Sequence, residues 1–247
     1  MLYLIGLGLN PKELTLEALE ALKGCKSVYL EDYTSKYSEG SQKSLEKIIG
    51  KKVIPLSREE VEEIKPFLTH AKTKDTALCI YGNITSATTH SEIIQTAKDR
   101  KIKVKVIPGI SIFSVIPMLT GLQEYKFGRT ISIVRPEKNY FPKSFFDYFL
   151  KNQELGLHTI LLLDIKKEQN YFMSPSEATK ILLDIAKERE IKLGKAIVIC
   201  NAMGKSQIVE YKELEKIAKA KYPKDSICCL VIPGKLHESE KEALEEL

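Results

Sequence analysis

Short apolar runs alternate with segments of helical periodicity throughout the first 107 residues. The predicted strands cover residues 2–7, 27–30, 53–56, 77–81 and 104–107. Between them, helices are predicted to begin at Thr15 and Ser41 and to span residues 59–72 and 89–100. Strand and helix repeated in this order are typical of a mostly parallel α/β sheet with helices on both faces.

The pattern changes after residue 120, where longer strand candidates follow one another with fewer helices between them. These strands cover residues 130–134, 159–163, 196–200, 207–209 and 227–232. One helix is clearly signalled, because Ser174-Pro175-Ser176-Glu177 is a capping box with proline at the first helical position. We therefore expect two α/β domains, residues 1–113 and 114–247, the second with a mixed sheet. Residues 238–247 are acidic and form either a terminal helix or a frayed tail.

Composition excludes several classes of protein. With 43% hydrophobic residues in 247, the chain can bury a core, so it is not disordered. Lys plus Arg is 38 and Asp plus Glu is 33, a net charge of 38 − 33 = +5 with no basic block, so we expect no nucleic-acid partner. Because there is no signal peptide and no apolar run of about 20 residues, we expect a soluble cytoplasmic protein without a membrane partner.

The five cysteines contain no C-x-x-C pair, and four of them lie in apolar, strand-like runs. We therefore expect Cys25, Cys79, Cys200, Cys228 and Cys229 to be buried reduced thiols. The four histidines are too scattered to predict a metal site from spacing.

Sequence motifs for binding nucleotide phosphates fail at specific positions. Gly6-Leu7-Gly8 follows the first predicted strand, but Pro11 occupies the third glycine position of G-x-G-x-x-G. Gly204-Lys205-Ser206 resembles the end of a phosphate loop, yet Ile199 stands where the loop needs a glycine. The serine at 111 also lacks the G-x-S-x-G spacing of a nucleophile elbow.

Glycines nevertheless follow three predicted strands of the first domain. They occur in Gly6-Leu7-Gly8-Leu9, in Gly82-Asn83 and in Pro108-Gly109. In an open parallel sheet, the carboxyl ends of the strands form the ligand crevice, and glycines let a small molecule approach the backbone. This favours a small-molecule site without a phosphate cradle, although the glycines could equally do no more than make tight turns.

Several segments together resemble the diphthine synthase family. They are residues 3–9, Gly82 with Ala87-Thr88-Thr89-His90, residues 125–128, residues 156–166 and residues 232–237. The similarity runs from residue 1 to about 237, with matching order and spacing. Any one of these segments alone would be a weak signal.

The resemblance implies the fold and activity of that family, which belongs to the tetrapyrrole methylase class. It implies two α/β domains with S-adenosyl-L-methionine in the cleft between them, in a homodimer. This cofactor carries no phosphate, in agreement with the missing phosphate loop. The implied reaction trimethylates the amino group of 3-carboxy-3-aminopropyl histidine on translation elongation factor 2, yielding diphthine for diphthamide biosynthesis and releasing S-adenosyl-L-homocysteine.

The resemblance also implies which residues contact the cofactor. In the first domain these are Leu9, Asn83, Ser86, Ser111 and Ile112. In the second domain they are Leu163, Met203 and Cys228. For the last three, ordinary core packing is the alternative explanation. No residue is assigned as catalytic and none as a metal ligand. His90 and Asp164 are candidate general bases, but residues in such positions more often have cap or packing roles.

Three positions depart from the family pattern. Asn83 stands where the family has aspartate, which predicts weaker attraction for a cationic cofactor. Residues 108–111 resemble the tetrapyrrole branch more than diphthine synthases, and Cys228 replaces a histidine of some relatives, so contact there would be through the backbone. Two alternatives therefore stay open: a corrin-precursor C-methyltransferase and a non-catalytic cofactor-binding homologue.

Overall fold

A computed structural model describes residues 1–86, 90–138 and 140–247. Ala87, Thr88 and Thr89, which contribute to the family resemblance, and Asn139 lie outside this part of the chain. The described residues form two compact units, Met1–Phe113 and Ser114–Leu247.

The first unit contains a five-stranded sheet in which every pair of neighbouring strands is parallel. Its strands are β1 (Leu2–Gly6), β2 (Ser27–Glu31), β3 (Ile54–Leu56), β4 (Thr76–Ile80) and β5 (Val104–Ile107), in the spatial order β3-β2-β4-β1-β5. The helices are α1 (Leu16–Gly24), α2 (Gln42–Ile49), α3 (Pro66–Ala71) and α4 (Ser91–Asp99). The predicted parallel α/β sheet is confirmed.

Two separate apolar clusters cover the two faces of this sheet. Successive side chains of a strand point to opposite faces, so Leu4 of β1 joins the cluster that contains Phe67 of α3. Its neighbour Ile5 joins the cluster that contains Leu22 of α1 and Leu45 of α2. The three central strands β2, β4 and β1 are therefore buried on both faces, which leaves their ends as the accessible part of these strands.

The helix predicted for residues 59–72 is interrupted. A turn of π-helix, Glu60–Ile64, ends at Lys65, whose φ is 52°, and α3 starts at Pro66. Proline disfavours the α conformation in the residue before it and has no N–H to continue a helical ladder. The apolar periodicity on either side of Pro66 hid this break.

The second unit is built on a mixed sheet in the order β11-β10-β12-β7-β6. Its strands are β6 (Ile131–Ile133), β7 (Thr159–Leu163), β10 (Lys195–Cys200), β11 (Ile208–Glu213) and β12 (Cys228–Ile232), with a separate hairpin of β8 (Ile165–Lys166) and β9 (Tyr171–Phe172). Only β6 and β7 pair in parallel; the other three pairs are antiparallel. The predicted mixed sheet is confirmed.

Helices are more frequent here than the sequence pattern suggested. They are α5 (Ile112–Thr120), which begins at the boundary between the units, α6 (Ser144–Glu154), α7 (Pro175–Glu188), α8 (Leu214–Lys219) and α9 (Glu238–Glu245). Of the predicted capping box at α7, the N-cap bond is confirmed, since Ser174 Oγ accepts from the Glu177 N–H at 3.1 Å, while Glu177 Oε1 accepts from the Tyr171 hydroxyl at 2.8 Å. The expectation of few helices was wrong because α5 is apolar almost throughout and contains Pro117, so no polar face marks it. No helix in the described ranges has both the length and the apolar character required to cross a membrane.

The expectation of five reduced thiols was wrong for two cysteines. Cys200 of β10 and Cys228 of β12 are directly opposite each other in the antiparallel register and are joined by a disulfide. Cross-strand neighbours lie close enough for such a bond, but their pairing depends on a register that cysteine spacing does not reveal. Cys25, Cys79 and Cys229 are free and buried, as expected.

The acidic C-terminal segment forms a helix held by a buried carboxylate. Glu240 of α9 is fully buried, and Lys126 Nζ contacts its Oε2. Its Oε1 accepts from the Gln123 N–H and from His158 Nε2, each at 2.9 Å. The His237 N–H also donates to Oε2 at 2.7 Å. Segments 125–128, 156–166 and 232–237, which carry much of the family resemblance, thus meet at one buried ionic cluster.

This cluster sets the protonation states of its members. The Gly234 N–H donates to Nδ1 of His158 at 2.9 Å, so the neutral imidazole carries its proton on Nε2 and donates it to Glu240. Burial lowers the pKa of His158, although the hydrogen bond and charge of Glu240 oppose this. Burial raises the pKa of Glu240, but hydrogen bonds from the His237 N–H, Lys126 and the Gln123 N–H outweigh it and hold the pKa at about 2.

We expect the stability of the chain to depend on His158 between pH 8 and 5. Because the folded pKa lies below the ordinary value of 6.5, the unfolded chain binds more protons there, and this contribution to stability is lost as the pH falls through 6.5. Urea unfolding of the wild type and of His158→Gln, at pH 8 and pH 5, checks this. The stability difference between the two proteins should shrink at pH 5, and a pH-independent difference would contradict the assignment.

Candidate functional site

The three glycine-containing strand ends of the first unit are neighbours in space. Strands β4, β1 and β5 are adjacent in the sheet and parallel, so their carboxyl ends meet at one edge. Beyond that edge, Gly8 and Gly82 form an antiparallel bridge in which the Gly82 N–H donates to Gly8 O at 2.9 Å and the Gly8 N–H to Gly82 O at 3.1 Å. The loops after β1 and β4 are therefore joined by their main chains.

Two of these glycines serve loop packing instead of opening the backbone to a ligand. A Cβ on Gly109 would lie 2.3 Å from Gly82 O, and a Cβ on Gly6 would lie 2.5 Å from Gly109 N. Since these spaces are filled by backbone, the expectation of ligand access at Gly6 and Gly109 was wrong. At Gly82, where φ is +71°, the nearest atoms to such a Cβ are 3.9 Å away, and one of them is Leu9 Cδ2. Among Gly6, Gly82 and Gly109, only Gly82 therefore has open space beside it.

Hydrogen bonds to neighbouring segments hold the main chain of Leu9. Its N–H donates to Glu13 Oε2 at 2.6 Å, and its carbonyl accepts from both the N–H and the Oγ of Ser38 at 2.9 Å. Burial raises the pKa of Glu13, although hydrogen bonds from the Leu9 and Asn10 main chains oppose this. The Leu9 backbone is thus fixed next to an acidic side chain.

Polar side chains connect the other two loops. The Gly109 N–H donates to Asn83 Oδ1 at 3.3 Å, and Ser111 Oγ donates to Ser86 Oγ at 3.0 Å. The Phe113 N–H in turn donates to Ser111 Oγ at 3.3 Å, in the first turn of α5, which Ile112 begins. The sequence-predicted residues of the first unit therefore belong to the loops of one sheet edge.

The predicted residues of the second unit also share one edge of their sheet. Cys229 pairs with Leu162, so Cys228 and Leu163 occupy the next position along, and Cys228 pairs with Cys200. Met203 lies in the turn that follows Cys200. The side chains of Leu163 and Cys228 belong to the apolar core, whereas Met203 is 37% exposed. Core packing thus accounts for the first two side chains and leaves their main chains for contact with a ligand.

Both candidate general bases are engaged by protein atoms. His90 is buried, with Nδ1 3.3 Å from Ile84 O and Nε2 3.7 Å from Glu31 Oε2. Asp164 accepts from the Arg135 N–H at 3.0 Å, and its carbonyl accepts from the Met173 N–H at 2.9 Å. These contacts favour the packing and capping roles over proton transfer.

Sequence reasoning missed Glu13 and Ser38, which fix Leu9. Glu13 lies in a 3-10 turn, Pro11–Glu13, that Asn10 caps by accepting from the Lys12 N–H at 2.9 Å. The Asn10-Pro11 pair signals a turn directly after the glycine loop and could have pointed to Glu13. Ser38 is remote in sequence, and no local pattern marks it.

Comparison with known proteins shows the family to which the chain belongs. Residues 1–218 match the family described as Tetrapyrrole (Corrin/Porphyrin) Methylases. A diphthine synthase of Methanocaldococcus jannaschii is 36% identical, with 100% of this chain and 98% of the relative aligned. The chain belongs to the diphthine synthase family. A diphthine methyl ester synthase of Schizosaccharomyces pombe is also 36% identical, over 99% of this chain and 93% of the relative.

Solved structures agree with this assignment to the diphthine synthase family. A crystal structure of diphthine synthase superposes with a TM-score of 0.88 at 31% identity, covering 100% of this chain and 95% of that one. As a member of the family, the chain is a methyltransferase, and the diphthine synthase interpretation prevails over the corrin-precursor alternative. The methyl donor of the family is S-adenosylmethionine.

We expect Gly109→Ala to disrupt the junction of the three loops. The added Cβ would meet Gly82 O at 2.3 Å, and because that atom is main chain it moves only if the loop moves. Overpacking of this kind costs about 2–3 kcal/mol. Urea unfolding should show this loss for Gly109→Ala and no loss for the control Gly24→Ala, because Gly24 ends α1, where alanine is at least as favourable as glycine, and its Cβ would meet no atom within 4 Å. Equal effects of the two substitutions would refute the tight junction.

Proposed function

We propose that the chain trimethylates the amino group of 3-carboxy-3-aminopropyl histidine on translation elongation factor 2, with S-adenosyl-L-methionine as methyl donor. The product would be diphthine, an intermediate of diphthamide biosynthesis, and S-adenosyl-L-homocysteine would be released. The observation that carries the proposal is the alignment of the whole chain with diphthine synthases at 36% identity. One relative is called diphthine methyl ester synthase, so the number of methyl groups is part of what the experiment must measure.

The residues at the first sheet edge fit this cofactor. Asn83, Ser86 and Ser111 offer uncharged amide and hydroxyl groups, and Leu9 and Ile112 offer apolar surface, as an adenosine site requires. Glu13 holds a carboxyl group at the Leu9 main chain, where it would attract the positive charges of S-adenosylmethionine. Phosphate-binding motifs are missing from the loop after β1, and this cofactor needs none.

Bound S-adenosylmethionine supplies an electrophilic methyl group on a sulfonium sulfur. The chain would contribute position, since the predicted cofactor residues of the first unit lie on loops that the Gly8–Gly82 main-chain bridge and the side chains of Asn83 and Ser86 hold together. Aligning two reactants can lower a barrier by as much as ~7–11 kcal/mol. Leu163, Met203 and Cys228 would add contacts from the second unit, and exclusion of water would favour a transition state in which charge is spread.

No side chain is assigned as the base that deprotonates the substrate amine. An alkylammonium group with a pKa of ~10 is mostly protonated at neutral pH, so the reactive neutral amine is a small fraction. His90 and Asp164 are held by protein hydrogen bonds. We therefore assign the proton to bulk water.

The remaining elements of the proposal concern organisation. The two units would serve as the two domains, residues 1–113 and 114–247. The enzyme would be a cytoplasmic homodimer that recognises its protein substrate without nucleic acid.

We expect Asn83 to weaken the affinity for the cofactor relative to aspartate, because an amide attracts a cationic cofactor less than a carboxylate does. Calorimetry on Asn83→Asp should show tighter binding of S-adenosylmethionine, and unchanged affinity would contradict this.

A methyl-transfer assay tests the proposed function. The purified chain is incubated with methyl-labelled S-adenosylmethionine and elongation factor 2 that bears 3-carboxy-3-aminopropyl histidine. We expect label on that histidine and a mass increase of three methyl groups, measured by intact and peptide mass spectrometry.

A matched substrate serves as the control. Elongation factor 2 with an unmodified histidine should accept no label. Cofactor binding without transfer would contradict the proposed protein substrate, and failure to bind S-adenosylmethionine would indicate a non-catalytic homologue. A fourth methyl group would assign the methyl ester activity instead.

A further inference from the structure

A tight turn, Asn201-Ala202-Met203-Gly204, follows β10 and contains two left-handed residues. The φ angle is 48° at Asn201 and 63° at Met203. Asparagine tolerates this region, but methionine with its Cβ adopts it at a cost. Such conformations persist only where the surroundings over-determine them, and they cluster at functional sites. The question is which contacts impose this conformation.

The side chain of Asn201 supplies those contacts. It is 8% exposed, and its Nδ2 donates to Ser226 Oγ at 3.0 Å and to Ser206 Oγ at 3.1 Å. Its Oδ1 accepts from the Ile227 N–H at 3.3 Å. One buried amide therefore ties both ends of the segment that follows β10 to the residues that precede β12.

The main chain completes the same junction. The Asn201 N–H donates to Ile227 O at 2.8 Å, and the Gly204 N–H donates to Asn201 O at 2.9 Å, which closes the turn. The Met203 N–H donates to Gln207 Oε1 at 2.7 Å. Ile227 is thus bound by both the main chain and the side chain of Asn201, directly before Cys228.

We propose that Asn201 is a positioning residue for the cofactor. Its side-chain amide would fix the turn that carries Met203 and, through Ile227, the start of the strand that carries Cys228. This inference rests on the proposed function, in which the main chains of Met203 and Cys228 contact S-adenosylmethionine. The hydroxyls of Ser206 and Ser226 contribute to this positioning because they accept hydrogen bonds from the Asn201 amide and so orient it.

Because of the Cys200–Cys228 disulfide, the positioning role of Asn201 can be tested apart from a general structural role. Cys200 and Cys228 are covalently linked directly beside Asn201 and Ile227, and the β10–β12 ladder continues from there to Val231. Loss of the Asn201 side chain therefore leaves the two strands joined. The turn, in contrast, loses the contacts that hold its unfavourable backbone.

Binding of S-adenosylhomocysteine by three full-length variants tests the proposal. Asn201→Ala removes the amide, whereas Asn201→Asp keeps a carbonyl oxygen for Ile227 and can accept from both serine hydroxyls. The matched control is Asn170→Ala, since Asn170 is an exposed asparagine with φ 55° in the same unit. Both variants put alanine, which tolerates the left-handed region less well than asparagine does, at a positive φ, so they share that backbone cost.

We expect Asn201→Ala to bind S-adenosylhomocysteine about tenfold more weakly in calorimetry, as expected for loss of buried hydrogen bonds. Asn201→Asp should stay within about threefold of the wild type and Asn170→Ala within about twofold. In the transfer assay, Asn201→Ala should raise the KM for S-adenosylmethionine and leave kcat at saturation within about twofold, which a general loss of folded protein would not produce.

Each outcome of these measurements supports or contradicts the positioning role of Asn201. Equal affinities of Asn201→Ala and Asn170→Ala would overturn the positioning role, while methyl transfer by the wild type would leave the proposed function standing. Failure of the wild type to bind S-adenosylhomocysteine would overturn both. If Asn201→Ala does not fold, Ser226→Ala replaces it: this variant removes one acceptor of the Asn201 amide, and an affinity loss of about threefold supports the proposal, whereas unchanged affinity contradicts it.

Discussion

Contact between the main chains of three loops is the constraint on which the first sheet edge depends. Gly6, Gly82 and Gly109 come so close that a Cβ on Gly6 or Gly109 would collide with backbone. This contact is possible because β4, β1 and β5 are neighbours and parallel, so their carboxyl ends reach the same edge. The positions of Leu9, Asn83 and the residues after Gly109 follow from it. A rigid main-chain arrangement of this kind can hold a cofactor through backbone groups and few side chains.

In the second unit, other kinds of contact hold the sheet edge that carries the predicted cofactor residues. Its sheet is mixed, so the edge that carries Leu163, Met203 and Cys228 combines the carboxyl ends of β7 and β10 with the amino end of β12. Here a disulfide and the buried Asn201 amide join the chain segments. Away from this edge, the buried Glu240 carboxylate joins α9 to segments distant in sequence. A buried ionic cluster of this kind strongly penalises removal of one partner, because the others are left uncompensated.

Local pattern predicted much of the framework. The pattern predicts strand β5 with its observed bounds, helix starts at Thr15 and Ser41, which are the N-caps of α1 and α2, and the cap of α7 at Ser174. These features depend on side-chain periodicity and on hydrogen bonds within a few residues. The site residues were carried by resemblance to a family, and their grouping on two sheet edges is a finding of the structure.

Features that depend on distant partners were not predicted. The Cys200–Cys228 bond needs the strand register, and the close approach at Gly109 needs the order of the strands. Glu240 lies in an acidic segment whose composition is typical of solvent-exposed helix, and only the positions of Lys126 and His158 explain its burial. Asn201 gains its role from Ser226 and Ile227, which approach it only in the folded sheet.

The central claim is that the main chains of the loops after β1, β4 and β5 form the cofactor site. A crystal structure of the full chain with S-adenosylhomocysteine tests this claim most directly. We expect ligand density against the Leu9 main chain and against Asn83 and Ser111, with Gly6 and Gly109 still packed on backbone. Density at another place on the molecule, with Leu9, Asn83 and Ser111 clear of the ligand, would contradict it.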